Sequence, residues 1–231
     1  MELLRLYRYL TADSALRTLQ GGKLKLGFVS KFNDPFDSIF GVGPELEAYP
    51  DDVAQAREGM LRGWDQYYGI LCFAELRDDP LMWAHYAENH RGMVLEFDFP
   101  LLPEAGYQLV KVKYRKNIPR ITMSAMRNAG AKVNVSFLRR LVSTKSHHWK
   151  YEKERRLLVS LEDESVTASG DHHFVPLINL RGVVLGQRCE TTADEVREML
   201  ADGPFKGVPI YKTHISMSRF QLDIEEEPSS C

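Results

Sequence analysis

Cysteines and long hydrophobic runs are scarce in this chain. Only three of its 231 residues are cysteines, Cys72, Cys189 and Cys231, and their spacing forms no pairs. A disulfide framework or a cysteine-rich zinc site is therefore not expected. No apolar run approaches the roughly 18 residues of a membrane span. The first ten residues, MELLRLYRYL, lack the apolar segment of a signal peptide. We therefore expect a cytoplasmic protein with no membrane partner.

An excess of charge of one sign is also missing. The formal net charge is -2, with 27% of residues charged and 44% hydrophobic. This balance argues against a general electrostatic grip on nucleic acid, although it leaves room for a local basic patch. The composition and length are those of a globular protein that buries a full core. We expect a single α+β domain over residues 1–231, with an ordered core at about 4–224 and a frayed C-terminal tail.

Several motifs of well-known enzyme classes are absent. The chain has no G-x-S-x-G, no G-x-x-x-x-G-K-[ST] and no G-x-G-x-x-G after a strand. Serine-hydrolase, P-loop and dinucleotide-binding βαβ folds are therefore excluded. His147-His148 and Asp171-His172-His173 lack both helical spacing and a complementary set of ligands, so no metal site is expected.

Hydrophobic periodicity and turn residues predict the elements. Strands are predicted at 4–10, 23–29, 69–74, 93–99, 109–114, 180–186, 208–212 and 220–224. Helices are predicted at 14–20, 51–68, 135–143 and 192–201, and a further helix begins at Pro80 and is ended by Gly92. Thr11 or Asp13 is expected to cap the first helix, and Thr191 or Thr192 the last.

Residues 148–159, HWKYEKERRLLV, combine aromatic, acidic and basic side chains directly before an apolar run. If this run is extended, Glu152, Glu154 and Arg156 share one face. Arg156 then holds Glu154 ionised. A carboxylate at a strand edge, beside aromatic rings and arginine, is a candidate functional group. The alternative is a solvated, salt-bridged edge strand.

Three further places carry candidate site residues. Trp83 and Tyr86 are neighbours on a short helix. Tyr86 is suited to stack on a planar ring while His85 donates a hydrogen bond, and the alternative is a core aromatic pair. Arg8, with Tyr9 beside it, offers donors on the first strand, unless it is simply a surface arginine.

The third place is the turn Asn33-Asp34-Pro35. Asn and Asp side chains bond their own backbone at such turns. Phe32 and Phe36 flank the turn and are expected to pin it next to a site, although a plain turn is the simpler interpretation.

Taken together, these motifs resemble a widespread bacterial family of uncharacterised proteins. The resemblance rests on N-D-P-F-D at 33–37, W-x-H-Y at 83–86 and W-x-Y-E-x-E-x-R at 149–156, and it covers most of residues 4–224. It implies membership of such a family and no particular activity.

The order of the parts also resembles, more loosely, the ADP-ribosyltransferases of the DNA-modifying toxin type. This resemblance implies split β-sheets flanked by helices, with NAD bound as a substrate in the cleft between them. It implies that Glu154, with Glu152 as the alternative, stabilises the transition state while Tyr86 stacks on nicotinamide. Arg8 and Asn33 are then expected to contact the phosphates and ribose, with Tyr9, His85 and Arg156 completing the binding site.

The leading functional hypothesis is therefore transfer of ADP-ribose from NAD to a protein or nucleic-acid acceptor, in a setting such as toxicity or phage defence. One alternative is a non-catalytic nucleotide- or nucleic-acid-binding module. The basic residues at 115–116, 120, 132 and 139–140 favour a polynucleotide in that case. Another is a structural or regulatory protein whose Trp83, Tyr86 and Trp149 are core residues.

Overall fold

A curled, mixed sheet of eight strands forms the centre of the fold. The computed structural model describes residues 3–100, 107–121 and 135–228. The described strands are β1 Leu3–Leu10, β2 Lys23–Lys25, β3 Gly41–Val42, β4 Tyr68–Ala74, β5 Met93–Pro100, β6 Tyr107–Lys111, β7 Lys113–Arg115, β8 Arg120–Ile121, β9 Thr144–Ser146, β10 Glu154–Ser160, β11 Thr167–Ser169, β12 His172–Pro176, β13 Leu180–Leu185, β14 Ile210–Ile215 and β15 Leu222–Glu226. The described helices are α1 Ala12–Gly21, α2 Pro44–Glu47, α3 Pro50–Asp65, α4 Pro80–Tyr86, α5 Val135–Val142 and α6 Ala193–Leu200, with 3₁₀ helices at Val29–Lys31 and His147–Glu152. The predicted α+β class is confirmed, and the elements form one compact domain.

The large sheet has two halves that meet at a narrow junction. Its order is β15-β14-β13-β5-β1-β4-β10-β6. β1 pairs with β5 over eight positions and β10 with β4 over seven, but β1 and β4 are paired only where Tyr7 lies opposite Ala74. In place of the predicted separate sheets, the structure therefore has one curled sheet whose halves diverge beyond this pair.

The chain after β2 fills the wedge where β1 and β4 diverge. Gly27 pairs with Ile70 of β4 through two backbone hydrogen bonds of 2.8 and 2.9 Å. Arg8 of β1 reaches into the same wedge, where its Nη2 donates to the carbonyl of Lys25 at 3.1 Å. Its guanidinium lies 5.9 Å from the ring centroid of Phe73.

Alternation of side chains gives the sheet two buried faces. Leu6, Phe73 and Leu157 point to the main core, which is covered by α1 and α6. The opposite face carries two smaller apolar clusters, one around Trp83 of α4 and one around Trp64 of α3. The candidate site lies on this opposite face.

Local sequence explains the helix ends. Thr11 caps α1 by accepting from the backbone of Ser14, and Gly22 ends the helix at a φ of 60°, in the left-handed region that favours glycine. Thr192 and Glu195 form a capping box on α6. These capping predictions are confirmed for one member of each predicted pair, Thr11 and Thr192.

One prediction at the most informative segment is wrong. Residues His147–Glu152 form a 3₁₀ helix and Lys153 has a φ of 44°, so the strand begins only at Glu154. Glu152 therefore does not share a strand face with Glu154, because the left-handed turn at Lys153 separates them. Glu154 and Arg156 do lie on one face of β10, as predicted.

Several boundaries also differ from prediction. The strand predicted at 23–29 ends at Lys25, and the one at 109–114 is divided into β6 and β7. The tail is more ordered than expected, since β15 pairs with β14 as far as Glu226; residues 229–231 lie outside the described ranges. The small sheet of β11, β12 and β2 was not predicted.

At Gly92, between α4 and β5, the backbone closely approaches the end of β1. Substitution of this glycine tests how tightly the two backbones pack. A Cβ at this position would lie 2.1 Å from the carbonyl oxygen of Leu10, whereas a Cβ on Gly59 in α3 meets nothing within 4 Å. We expect Gly92→Ala to lower the free energy of unfolding by at least about 1–3 kcal/mol. Gly59→Ala is expected to raise it by up to about 1 kcal/mol, because alanine favours a helix interior. Urea unfolding of both variants measures the difference, and equal stabilities would contradict this account.

Candidate functional site

A small cavity opens on the second face of the sheet, beside the junction of β1 and β4. Its volume is about 120 Å³. Five aromatic residues line it, namely Tyr7, Tyr9, Phe32, Phe73 and Tyr86. Five charged side chains also line it: Asp37, Lys145, Glu152, Glu154 and Arg156, all buried. The remaining lining residues are Asn33, Cys72, Ala74 and Met82.

Arg156 is the centre of the charged cluster. Its guanidinium is fully buried and donates in a two-pronged fashion to Asp37, with Nη2 to Oδ2 at 2.6 Å and Nη1 to Oδ1 at 2.9 Å. Nε and Nη2 donate to the two oxygens of Glu154 at 2.8 and 3.0 Å. Nη1 also donates to the carbonyl of Val142 at 2.8 Å. Such planar pairs are the strong form of the charged hydrogen bond.

Lys145 joins the three carboxylates. Its Nζ lies 2.6 Å from Glu152 Oε2, 3.3 Å from Glu154 Oε2 and 3.8 Å from Asp37 Oδ2. With all five groups ionised, three anions face two cations, so the cluster keeps one net negative charge. Adjacent to the open cavity, this charge favours a cationic ligand.

The two glutamates of the cluster differ in their surroundings. Burial acts to raise the pKa of Glu154, but the charges of Arg156 and Lys145 outweigh it and lower the pKa to about 2. Burial raises the pKa of Glu152, and the charge of Glu154 adds to this rise while Lys145 opposes it. Glu154 is therefore a permanent anion, whereas Glu152 is suited to exchange a proton.

Tyr86 connects α4 to the cluster. Its hydroxyl donates to Glu152 Oε1 at 2.6 Å, and the side chain of Asn33 hydrogen-bonds to the same hydroxyl. Burial and Glu152 raise the pKa of Tyr86, so it remains a neutral donor. The ring lines the cavity wall.

The N-D-P-F-D segment brings two side chains to the cavity. Asp34 accepts from the backbone of Phe36 at 2.9 Å and its carbonyl accepts from the backbone of Asp37 at 3.0 Å. The predicted turn is therefore confirmed. It presents Asn33 to Tyr86 and Asp37 to Arg156.

The 3₁₀ helix His147–Glu152 explains how Glu152 reaches the site. After the left-handed Lys153, the backbone N–H of Glu154 donates to the hydroxyl of Tyr114 on β7 at 2.7 Å. This bond holds the chain reversal against β7. Glu152 and Glu154 thus meet at Lys145 although they lie on different elements.

The structure brings six of the eight predicted site residues together. Tyr9, Asn33, Tyr86, Glu152, Glu154 and Arg156 line the cavity, whereas Arg8 and His85 are not among its lining residues. Arg8 shares the face of Leu6 and Leu10, which pack in the main core. Its Nε and Nη1 are buried without a hydrogen-bond partner among the described residues, and burial lowers its pKa.

His85 lies just outside the cavity, in a group of rings. Its centroid is 6.3 Å from that of Trp149 and 6.2 Å from that of Tyr151. Trp83, by contrast, is a fully buried core residue that packs edge-on against Tyr9. Of Trp83 and Tyr86, the two neighbours predicted on α4, only Tyr86 therefore belongs to the site.

Sequence reasoning missed Asp37 and Lys145. Asp37 belongs to the N-D-P-F-D motif, so its acidic side chain offered a signal beyond the turn itself. Lys145 offered none, since its burial depends on the packing of β9 beside β7.

Within residues 3–100, 107–121 and 135–228, no group of three His, Cys, Asp or Glu side chains is arranged to hold a metal ion. No helix in those ranges is long and apolar enough to span a membrane.

Comparison with known proteins gives one match. Residues 82–157, about a third of the chain, match a domain family described as "Protein of unknown function (DUF2971)". The matched segment contains Tyr86, Lys145, both glutamates and Arg156. No curated protein and no solved structure matches the chain. The expected relation to an uncharacterised family is thus supported over this segment.

Removing the central cation tests the dependence of the fold on Arg156. Arg156→Met leaves Asp37 and Glu154 buried without their main partner, so we expect a loss of about 3–5 kcal/mol in the free energy of unfolding. The control is Arg62→Ala, which breaks an exposed pair with Glu58 and should cost below about 0.5 kcal/mol. Denaturant unfolding gives both values, and a loss under about 1 kcal/mol for Arg156→Met would show that the cluster is not structurally required.

The lowered pKa of Glu154 predicts an acid dependence of stability. Because its folded pKa of about 2 lies below the ordinary 4.5, the ionised group stabilises the fold above pH 4.5. This contribution is lost as the pH falls towards 2. Glu152, with a raised pKa, contributes with the opposite sign. We expect Glu154→Gln to lose less stability than the wild type between about pH 5 and pH 2, measured by thermal unfolding, with the exposed Glu58→Gln as control. Parallel curves for wild type and Glu154→Gln would refute the prediction.

Proposed function

We propose that the cavity binds the nicotinamide end of NAD and that the protein transfers ADP-ribose from NAD to an acceptor. The observation that carries the proposal is an aromatic cavity of single-ring size, next to a buried cluster with one net negative charge. The loose resemblance of the motif order to ADP-ribosyltransferases agrees with it.

The size of the cavity supports a ring as the ligand. Its volume of about 120 Å³ is close to that of an apolar cavity of about 150 Å³ known to take benzene. Whole drug-sized ligands occupy about 300–1,000 Å³. The cavity therefore matches a single aromatic ring, and the rest of NAD would lie outside on the surface.

The charge supports a cation. The nicotinamide ring of NAD is positively charged, and aromatic faces such as those of Tyr9 and Tyr86 attract cations. When the bond to nicotinamide breaks, positive charge moves onto the ribose. Glu154, kept ionised by Arg156 and Lys145, is a fixed anion that needs no rearrangement as this charge develops.

The proposed reaction balances without any further reagent. The bond between ribose C1′ and the nicotinamide nitrogen breaks, and its electron pair leaves with neutral nicotinamide. A new bond forms between C1′ and a nucleophilic atom of the acceptor. The acceptor's proton passes to Glu152, whose raised pKa suits a general base. Arg8 and His85, which do not line the cavity, have no assigned role in this step.

The second candidate is a nucleotide-binding module without turnover. Both oxygens of Glu154 already accept hydrogen bonds from Arg156, and one also pairs with Lys145. A ribose hydroxyl must share these oxygens, which favours binding alone. This candidate predicts stabilisation by NAD and no release of nicotinamide.

Nicotinamide release from NAD tests the proposal, with water serving as acceptor when no other is supplied. We expect the wild type to be stabilised against heat by NAD and to release nicotinamide. Removing one charge that stabilises the transition state should lower the rate about 100- to 1,000-fold in Glu154→Gln. The matched control is Glu75→Gln, whose carboxylate pairs with Arg155 and Lys111 away from the cavity, and it should keep the wild-type rate.

Circular dichroism confirms that each variant is folded before rates are compared. A folded Glu154→Gln variant with the wild-type rate removes Glu154 from the mechanism. If only Glu152→Gln loses activity, Glu152 and not Glu154 is the carboxylate that stabilises the transition state. If the wild type neither binds NAD nor releases nicotinamide, the proposal fails.

A further inference from the structure

Positive charge is concentrated in one part of the chain. Residues 105–161 contain 14 of the 30 Lys and Arg residues and only 2 of the 32 Asp and Glu residues. Those two are Glu152 and Glu154, which are buried in the charged cluster. The net charge of -2 therefore conceals a strongly basic segment and an acidic remainder, and the local field depends on where that segment lies.

The basic side chains lie on the outside of the ribbon that forms the cavity wall. β7 and β9 run parallel, with Tyr114 opposite Lys145, and both of these side chains reach inwards to the glutamates. Because side chains alternate along a strand, Lys113 and Arg115 point outwards, and both are exposed.

Neighbouring elements extend this basic surface. Its members are Lys113, Arg115, Lys116, His147, His148 and Lys150, all exposed. Loss of solvent lowers the pKa of His147, and the nearby charges of His148 and Lys116 lower it further. At one edge Glu75 pairs with Lys111 and Arg155, but within the described ranges no acidic side chain forms an ion pair with a member of the surface.

The basic surface ends at the group of rings beside the cavity. His85, Trp149 and Tyr151 have centroids 6.1–6.3 Å apart, and Tyr86 of the cavity wall lies 6.3 Å from His85. Trp149 and Tyr151 belong to the 3₁₀ helix that also carries His147, His148 and Lys150. Basic side chains and aromatic rings therefore adjoin on one element.

We infer that this surface binds single-stranded nucleic acid, with phosphates on the basic side chains and a base stacked on the rings beside the cavity. Basic grooves combined with aromatic platforms are the usual means of holding unpaired strands. A duplex would bury the base faces that the rings need. A membrane surface calls for an apolar face beside the charges. Among the side chains that the structure describes between residues 105 and 161, Ile118 is the one exposed large apolar side chain.

Binding of the strand does not depend on the transfer reaction; only its use as an acceptor of ADP-ribose rests on the proposed function. The surface also provides the room for a longer partner that the cavity lacks. The cavity has room for one ring, so a longer partner must be held outside it, and this surface lies at the outer side of its wall.

Fluorescence anisotropy with labelled 20-nucleotide DNA and RNA single strands, without NAD, tests the inference. We expect wild-type affinity to fall at least tenfold between 50 and 200 mM salt, as counterion release requires for about three or more phosphate contacts. The double variant Lys113→Glu, Arg115→Glu should bind at least tenfold more weakly and show a shallower salt dependence. Lys23→Glu with Lys206→Glu makes the same change of charge at exposed positions outside the basic segment and should bind as the wild type does.

Further arms separate the rival partners. Trp149→Ala should weaken binding severalfold if a base stacks there, and a hairpin duplex should bind more weakly than the single strand. Comparison of the DNA and RNA strands shows which sugar is preferred. Three results would each overturn the inference. The two charge variants lose affinity equally, the wild type shows no salt-dependent binding, or it binds phosphatidylserine vesicles but not oligonucleotides. Nicotinamide release without nucleic acid should persist in Lys113→Glu, Arg115→Glu, so failure here is distinguishable from failure of the proposed function.

Discussion

The buried guanidinium of Arg156 is the constraint on which the site depends. A fully buried arginine needs partners for its donors and compensation for its charge. Asp37, Glu154 and the carbonyl of Val142 provide them. These partners come from the N-D-P-F-D turn, from β10 and from the end of α5, so one side chain ties together segments that are up to 119 residues apart. Two of these segments, the turn and β10, also line the cavity.

A buried cluster of charges contributes little net stability to a fold, because its groups must be desolvated. Replacing buried ion pairs by apolar side chains is often neutral or stabilising. A cluster that keeps a net negative charge beside an open aromatic cavity therefore agrees with the proposed binding of a cationic ligand. Its environment also separates two chemically identical carboxylates: Glu154 is held ionised by Arg156 and Lys145, while burial raises the pKa of Glu152. One fixed anion and one proton acceptor are what cleavage of a glycosidic bond uses.

The ribbon of β7 and β9 links the two proposed properties. Its inner side carries Tyr114 and Lys145 to the glutamates, and its outer side carries Lys113 and Arg115 to solvent. Because side chains alternate across a strand, a short ribbon separates the buried charged cluster from a basic surface. The following 3₁₀ helix then brings Trp149 and Tyr151 from that surface to the mouth of the cavity.

The sequence by itself determined the turn at Asp34 and the shared strand face of Glu154 and Arg156, and it limited the caps of α1 and α6 to two candidates each. Each depends on a few adjacent residues, whose side chains and backbone decide the outcome locally. Only the tertiary structure decided that Glu152 arrives from a 3₁₀ helix, that Arg8 faces the main core, and that Asp37 and Lys145 complete the cluster. These placements follow from strand pairing and from the need to neutralise a buried arginine, and both join residues far apart in the chain.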